Sequence, residues 1–106
     1  MSQGFKVASA LLLAAALAAP AFAQGDAATL YKAKCVLCHG ADGLATTPVG
    51  KSMKVLSFKA PEMVSATDAQ FIASTKNGKG KMPAYKEKLT DAQIKDIVTF
   101  IRTLQN

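Results

Sequence analysis

Both cysteines and the one histidine of this 106-residue chain fall within five consecutive positions, Cys35-Val36-Leu37-Cys38-His39. Any fold the chain adopts must deliver two thiols and an imidazole to one point on about one turn of backbone. No other position supplies either group. Whatever these groups do is therefore completed by another residue type or by a bound group.

The segment before them reads as a targeting sequence. Lys6 provides a positive start, and residues 7–19 are Ala, Leu, Val and Ser, too short a run to span a bilayer. Pro20 breaks the run, and Ala21-Phe22-Ala23 has the small-x-small form of a cleavage site. This predicts a signal peptide over 1–23, cleavage after Ala23, and one domain over 24–106 in an exported, periplasmic or equivalent extracytoplasmic compartment. A domain of 83 residues rarely buries enough apolar surface to hold together unaided, so it needs a staple.

Four chemistries compete for the Cys-x-x-Cys-His stretch. A structural disulfide is compatible with export, but so short a loop restrains little of the unfolded chain. A redox dithiol of thioredoxin type requires a strand before the motif, and no alternating apolar pattern precedes Cys35. A closed zinc site needs four ligands, and the chain has no further Cys or His. Covalent haem attachment accounts for every element of the spacing: two sulfurs on one turn bond the porphyrin edge, and the adjacent imidazole reaches the iron. A covalently held apolar ring also answers the need for a staple. The reading is one haem c, with iron, bound through Cys35 and Cys38 and ligated by His39.

The second axial position decides what such an iron can do. With no second histidine, two-histidine ligation is excluded. The soft donors beyond residue 24 are Met53, Met63 and Met82. Met53 and Met63 lie among Val55, Leu56, Phe58 and Val64 and read as core filler. Met82 sits instead in a polar stretch, Lys79-Gly80-Lys81-Met82-Pro83-Ala84-Tyr85, where glycines permit close backbone approach and Pro83 stiffens the chain. It lies 43 residues beyond His39 with a helix between, enough chain to reach the opposite face of a ring. Met82 is therefore the candidate sixth ligand. With both positions filled, the remaining chemistry is outer-sphere electron transfer.

Helices and loops organise the rest, and the fold class reads as all-α. Asp26 is a candidate N-cap for a helix over roughly 27–36, with Leu30, Tyr31 and Cys35 at helical spacing. Thr67-x-x-Gln70 and Thr90-x-x-Gln93 have capping-box form and predict helices over 68–76 and 91–104. In the second, Ile94, Ile97, Val98, Ile101 and Leu104 share a face. One or two short helical turns are expected between Met53 and Ser65, and none between Gly78 and Leu89.

The attachment motif, the stretch from Asn77 to Tyr85 and the final helix from Thr90 together resemble the class I c-type cytochromes, the small monohaem kind. The resemblance covers essentially all of 24–106 and is nearest the short-chain bacterial and photosynthetic shuttle members. It implies three to five helices wrapped around one haem. It implies that the first and last helices cross beside the haem, Ala27 as the small residue at the crossing and Tyr31 near Ile97 and Phe100. It also implies that Pro48 offers its carbonyl to the His39 imidazole, and that Tyr85 fills the aromatic position after Met-Pro-Ala, often tryptophan in the family.

Losing Lys6 leaves 12 basic residues against 7 acidic, a net charge near +5. Lys76, Lys79, Lys81, Lys86 and Lys88 surround the Met82 stretch, with Glu87 the one acid among them. Such a ring would steer an acidic-surfaced redox partner, a membrane oxidoreductase or terminal oxidase. Nucleic acid is not indicated, since Arg102 is the single arginine. The expectation is a monomeric electron carrier, not an enzyme and not membrane-inserted after cleavage. Its rivals are a haem enzyme or a peroxide- or nitric oxide-binding protein with a labile sixth position, and a subunit held permanently by one membrane oxidase.

Overall fold

Thr67 and Thr90 each close a reciprocal pair of hydrogen bonds that starts a helix. The Thr67 hydroxyl accepts from the Gln70 amide at 3.1 Å while Gln70 Oε1 accepts from the Thr67 amide at 2.8 Å, and Thr90 with Gln93 repeats both distances. Each such cap stabilises its helix by about 1 kcal/mol. The computed structural model describes residues 24–106, and the predicted signal peptide and its cleavage point at Ala23 lie outside them.

Among the described residues six helices follow in order: α1 Gln24–Lys34, α2 Val36–His39, α3 Pro48–Ser52, α4 Pro61–Val64, α5 Asp68–Asn77 and α6 Asp91–Thr103. The count exceeds the expected three to five because α2, α3 and α4 are single turns. Pro48 and Pro61 open two of them, where a missing amide costs nothing. Asp26 is not the N-cap expected of it. The helix begins earlier, and Asp26 lies in its first turn, where a carboxylate still favours the positive end of the helix. Helical hydrogen bonding carries on through Cys35, whose amide donates to the Tyr31 carbonyl at 2.8 Å, and into α2. Among the described residues there is no strand, only an isolated bridge between Lys79 and Met82.

α1 packs most extensively on α6. Ala27 and Tyr31 are both 2% exposed on α1, while Ile94, Ile97, Val98 and Ile101 are buried on α6. The small Ala27 side chain lets the helices approach, and the Tyr31 ring packs 5.2 Å from that of Phe100. Phe58, Phe71 and Leu89 complete the core, with Leu104 packed against it from just beyond α6. Arg102 closes the far end. Its guanidinium lies 4.5 Å over the Phe71 ring, Nε donates to Asp68 at 2.9 Å, and Nη2 donates to the Ala66 carbonyl at 2.6 Å.

The Tyr31 hydroxyl donates to the Gly40 carbonyl at 2.6 Å, fixing α1 to the chain just after His39. Burial pushes this hydroxyl well above the ordinary tyrosine range, with Cys35 and Asp42 adding to the shift. An acid whose folded value is raised holds its contribution below the unfolded value near 10 and loses it as pH climbs through the interval above. Tyr31→Phe is therefore expected to cost about 1 kcal/mol at neutral pH, the net worth of one hydrogen bond, since the Gly40 carbonyl keeps its bond from the Gly43 amide. It should also flatten the alkaline decline in stability. Denaturant titrations at neutral and alkaline pH check both.

Candidate functional site

α2 carries Cys38 and His39 and follows directly on Cys35, and its position is set by α3. The Thr47 hydroxyl donates to the Leu37 carbonyl at 2.7 Å and accepts from the Gly50 amide at 2.9 Å, so one side chain caps α3 and grips α2 together. Gly50 makes the approach possible. A Cβ there would collide with the Cys38 carbonyl oxygen and lie 2.9 Å from that of Ala45. The Ala45 amide in turn donates to the His39 carbonyl at 2.9 Å.

Cys35 and Cys38 are both half-buried and free of disulfide bonding. Burial, and then the neighbouring Cys38, pushes the Cys35 thiol up to about 11. The His39 ring stacks on Phe58 with centroids 4.6 Å apart and planes 13° from parallel. Burial holds its pKa below the usual histidine value, which favours the neutral imidazole that metals bind. Its Nδ1 is buried with no hydrogen-bond partner.

These three residues open onto a cavity of about 960 Å³ that Met82, Pro83 and Tyr85 also line, with Phe58, Phe71, Ile97 and Ile101 among its walls. Met82 is held by backbone geometry. Lys79 and Met82 exchange both amide-to-carbonyl bonds, at 3.1 and 2.9 Å. Gly78, with φ of 82°, leads into the loop so tightly that a Cβ would sit 2.9 Å from the Met82 carbonyl oxygen. Tyr85 ends it, its amide donating to the Thr75 carbonyl at 3.0 Å.

Cys35, Cys38, His39, Met82 and Tyr85 are thus brought together, and Pro48 is not. It is exposed at the start of α3, outside the cavity lining, and the bond expected from the imidazole to its carbonyl is not formed. The α2 contact falls on Gly50 instead, and the imidazole lies flat against Phe58. Two further readings are corrected. Met53 is 41% exposed rather than core filler, and it lines the same cavity, as does Met63, which also packs on the core. Lys76 is not a free member of the basic ring, because its ammonium pairs with Asp91 at 3.2 Å. Gly50 and Thr47 are functional residues that the sequence motifs do not single out. Their signal was a small residue and a hydroxyl flanking Pro48, which local pattern alone does not separate from an ordinary turn.

A helical shell whose attachment turn and apolar cavity walls meet in this way defines a c-type cytochrome. Residues 22–101 match the family model described as Cytochrome C oxidase, cbb3-type, subunit III. Cytochrome c6 of Gloeothece citriformis is 33% identical over 104 residues, 91% of this chain and 91% of that protein. Cytochrome c6 of Rippkaea orientalis is 36% identical over 94 residues, 86% of this chain and 81% of its own. A solved structure, the KustC0563 c-type cytochrome, aligns with a TM-score of 0.69 at 29% identity over 76% of this chain and 98% of that one. The chain belongs to the class I c-type cytochromes, and with them it is a haem c protein and an electron carrier.

The residues present fit that group. The cavity lies at the upper end of the about 300–1,000 Å³ that cofactor pockets occupy. Its walls are largely apolar, its donors are two thiols, an imidazole and thioethers, and a buried imidazole nitrogen stands unpartnered beside it.

Proposed function

We propose that this protein is an exported, periplasmic carrier of single electrons between larger redox complexes, its haem attached through Cys35 and Cys38 and its iron held by His39 and Met82. The supporting observation is that the attachment turn and the braced Met82 loop line one and the same cavity. When bound, haem c supplies a reversible one-electron couple between ferrous and ferric iron.

The chain's part is to hold and to exclude. His39 contributes a neutral nitrogen donor, and a thioether from Met82 favours the ferrous state and raises the potential relative to nitrogen-only ligation. Phe58, Phe71, Ile97 and Ile101 keep water from the cavity walls. Peroxide cleavage has no equipment: the chain has no second histidine, and its sole arginine is committed to Asp68 and Ala66. No described helix is long and apolar enough to cross a membrane.

Lys79 and Lys81 are exposed at the cavity rim, with Lys86 and Lys88 exposed close by in sequence. They offer a cationic surface to an acidic-surfaced partner such as a membrane oxidoreductase or oxidase. Charge steering of this kind raises association rates by about tenfold or more at low salt and fades as salt screens it. Lys79→Gln with Lys81→Gln should slow electron transfer to an acidic acceptor several-fold at low ionic strength, with the deficit shrinking at high ionic strength. Stopped-flow rates across a salt series read this out, and a salt-independent rate would remove the steering role.

Absorption spectra of the oxidised and reduced protein, exported by a host with haem-attachment machinery, test the reading as a whole. A low-spin, thioether-linked haem with a sulfur-to-iron charge-transfer band in the oxidised form is expected. A high-spin product that binds carbon monoxide readily would replace the carrier with a ligand-binding protein.

A further inference from the structure

The loop that carries Met82 is closed at its base by backbone bonds to α5, from the Tyr85 amide to the Thr75 carbonyl at 3.0 Å and from the Lys86 amide to the Lys76 carbonyl at 3.1 Å. Those bonds tie the loop to its own side of the cavity and say nothing of its distance from the attachment turn. Tyr85 supplies that link. Its hydroxyl donates to the Lys34 carbonyl at 3.1 Å, a side-chain bond between positions 51 apart in sequence. Lys34 is the last residue of α1 and directly precedes Cys35. The Tyr85 ring lines the cavity along with Cys35, Cys38, His39 and Met82, and Lys88 Nζ lies 5.8 Å from its centroid.

We infer that Tyr85 is a positioning residue for Met82: its hydroxyl straps the ligand loop to the attachment segment and sets how readily the thioether leaves the iron. The inference rests on Met82 being the sixth ligand. The ring by itself lines the cavity, so packing there does not require the hydroxyl. What the hydroxyl adds is a fixed span across the cavity. Gly78 and Gly80, at φ of 82° and 59°, leave the loop a backbone that can pivot at its start, so a tether at its end controls opening. Outward movement of the loop that carries its Tyr85 end along must then either break the bond to Lys34 or carry α1 with it.

Tyr85→Phe keeps the ring and removes the tether. Imidazole, added as an external ligand to the oxidised holoprotein, binds only after Met82 has left, and at saturating imidazole its binding rate reports loop opening. The Phe variant should open about three- to tenfold faster, the factor one hydrogen bond commands, and should show faster amide hydrogen exchange at Met82 and Lys86. Arg102→Gln serves as the control, since it weakens the α5–α6 contact remote from the loop. It should lower global stability without changing the imidazole rate. Equal imidazole rates in Tyr85→Phe and the parent would overturn the strap, as would acceleration by Arg102→Gln to the same degree. Absence of the sulfur-to-iron band in the parent protein would instead remove Met82 as ligand, an outcome seen before any variant is made.

Discussion

Met82→Ala is expected to leave the haem covalently attached while abolishing the sulfur-to-iron band, lowering the reduction potential and opening the iron to carbon monoxide. Attachment depends on Cys35 and Cys38, which lie in and beside α2 and share no hydrogen bond with the Met82 loop. The potential should fall by on the order of 0.1–0.3 V, part of the about 0.8 V over which axial ligands set haem potentials. The comparison with Met53→Leu and Met63→Leu gives the experiment its force, because all three methionines line the cavity. Met63 is held in α4 against the core, and Met53 follows α3 and is 41% exposed. The Met53 and Met63 amides are bonded within the short helical turns α3 and α4, whereas Met82 stands on a separate loop fixed by the paired contacts with Lys79 and the close turn at Gly78. The two leucine variants should therefore keep the band. Loss of the band in Met63→Leu with retention in Met82→Ala would reassign the ligand. Potentiometry and absorption spectra of the three variants decide among these outcomes.

Gly50→Ala should be the most damaging single methyl group that can be added near the site. Its backbone does not lie in the left-handed region, so the cost is pure crowding: the new Cβ meets the carbonyl oxygens of Cys38 and Ala45, with the Thr47 hydroxyl oxygen at 3.0 Å. Backbone carbonyls cannot swing aside as a side-chain tip can, and α2 or α3 must shift bodily. Overpacking of this kind costs about 1–3 kcal/mol or more, a large share of the about 5–15 kcal/mol that holds a small domain together. Displacing α2 also moves His39. A loss of about 3 kcal/mol in denaturant titration is expected, with a lower yield of haem-loaded protein. Gly80→Ala is the counter-test. Nothing lies within 4 Å of a Cβ at Gly80, although its φ is 59°, so only the left-handed strain of about 1 kcal/mol should appear. Similar losses in the two variants would mean that the close approach of α3 to Cys38 contributes nothing special.

What could be read from the chain in advance follows a physical division. The capping boxes at Thr67 and Thr90 are written within four residues, donor and acceptor both present in the motif, and they start helices where expected. The buried face of α6 is a periodic pattern and was equally legible. The covalent cofactor was legible because two thiols and an imidazole must be adjacent to do that job. Contacts that join distant positions leave no such trace. Arg102 was notable in sequence only for being alone, yet it ties α6 to Asp68 and Ala66. The Tyr85 bond to Lys34 and the bulk limit at Gly50 are likewise tertiary facts. Met53 was misjudged because apolar neighbours in sequence do not guarantee burial. Of the neighbours that suggested it, Phe58 is buried, but Leu56 is 47% and Val64 51% exposed. Asp26 resembled a cap because helix boundaries are the least legible part of any helix, and α1 starts before it.

The meeting of the first described helix with the last fixes an order of assembly. Tyr31 finds its partner on α6, at Phe100, only once the 69 residues of chain that separate them have been brought together. Until then α1 has little to hold it, since an isolated helix of this length is marginal in water. The turn between them, with its two thiols, stays open to the incoming haem until α1 and α6 have met.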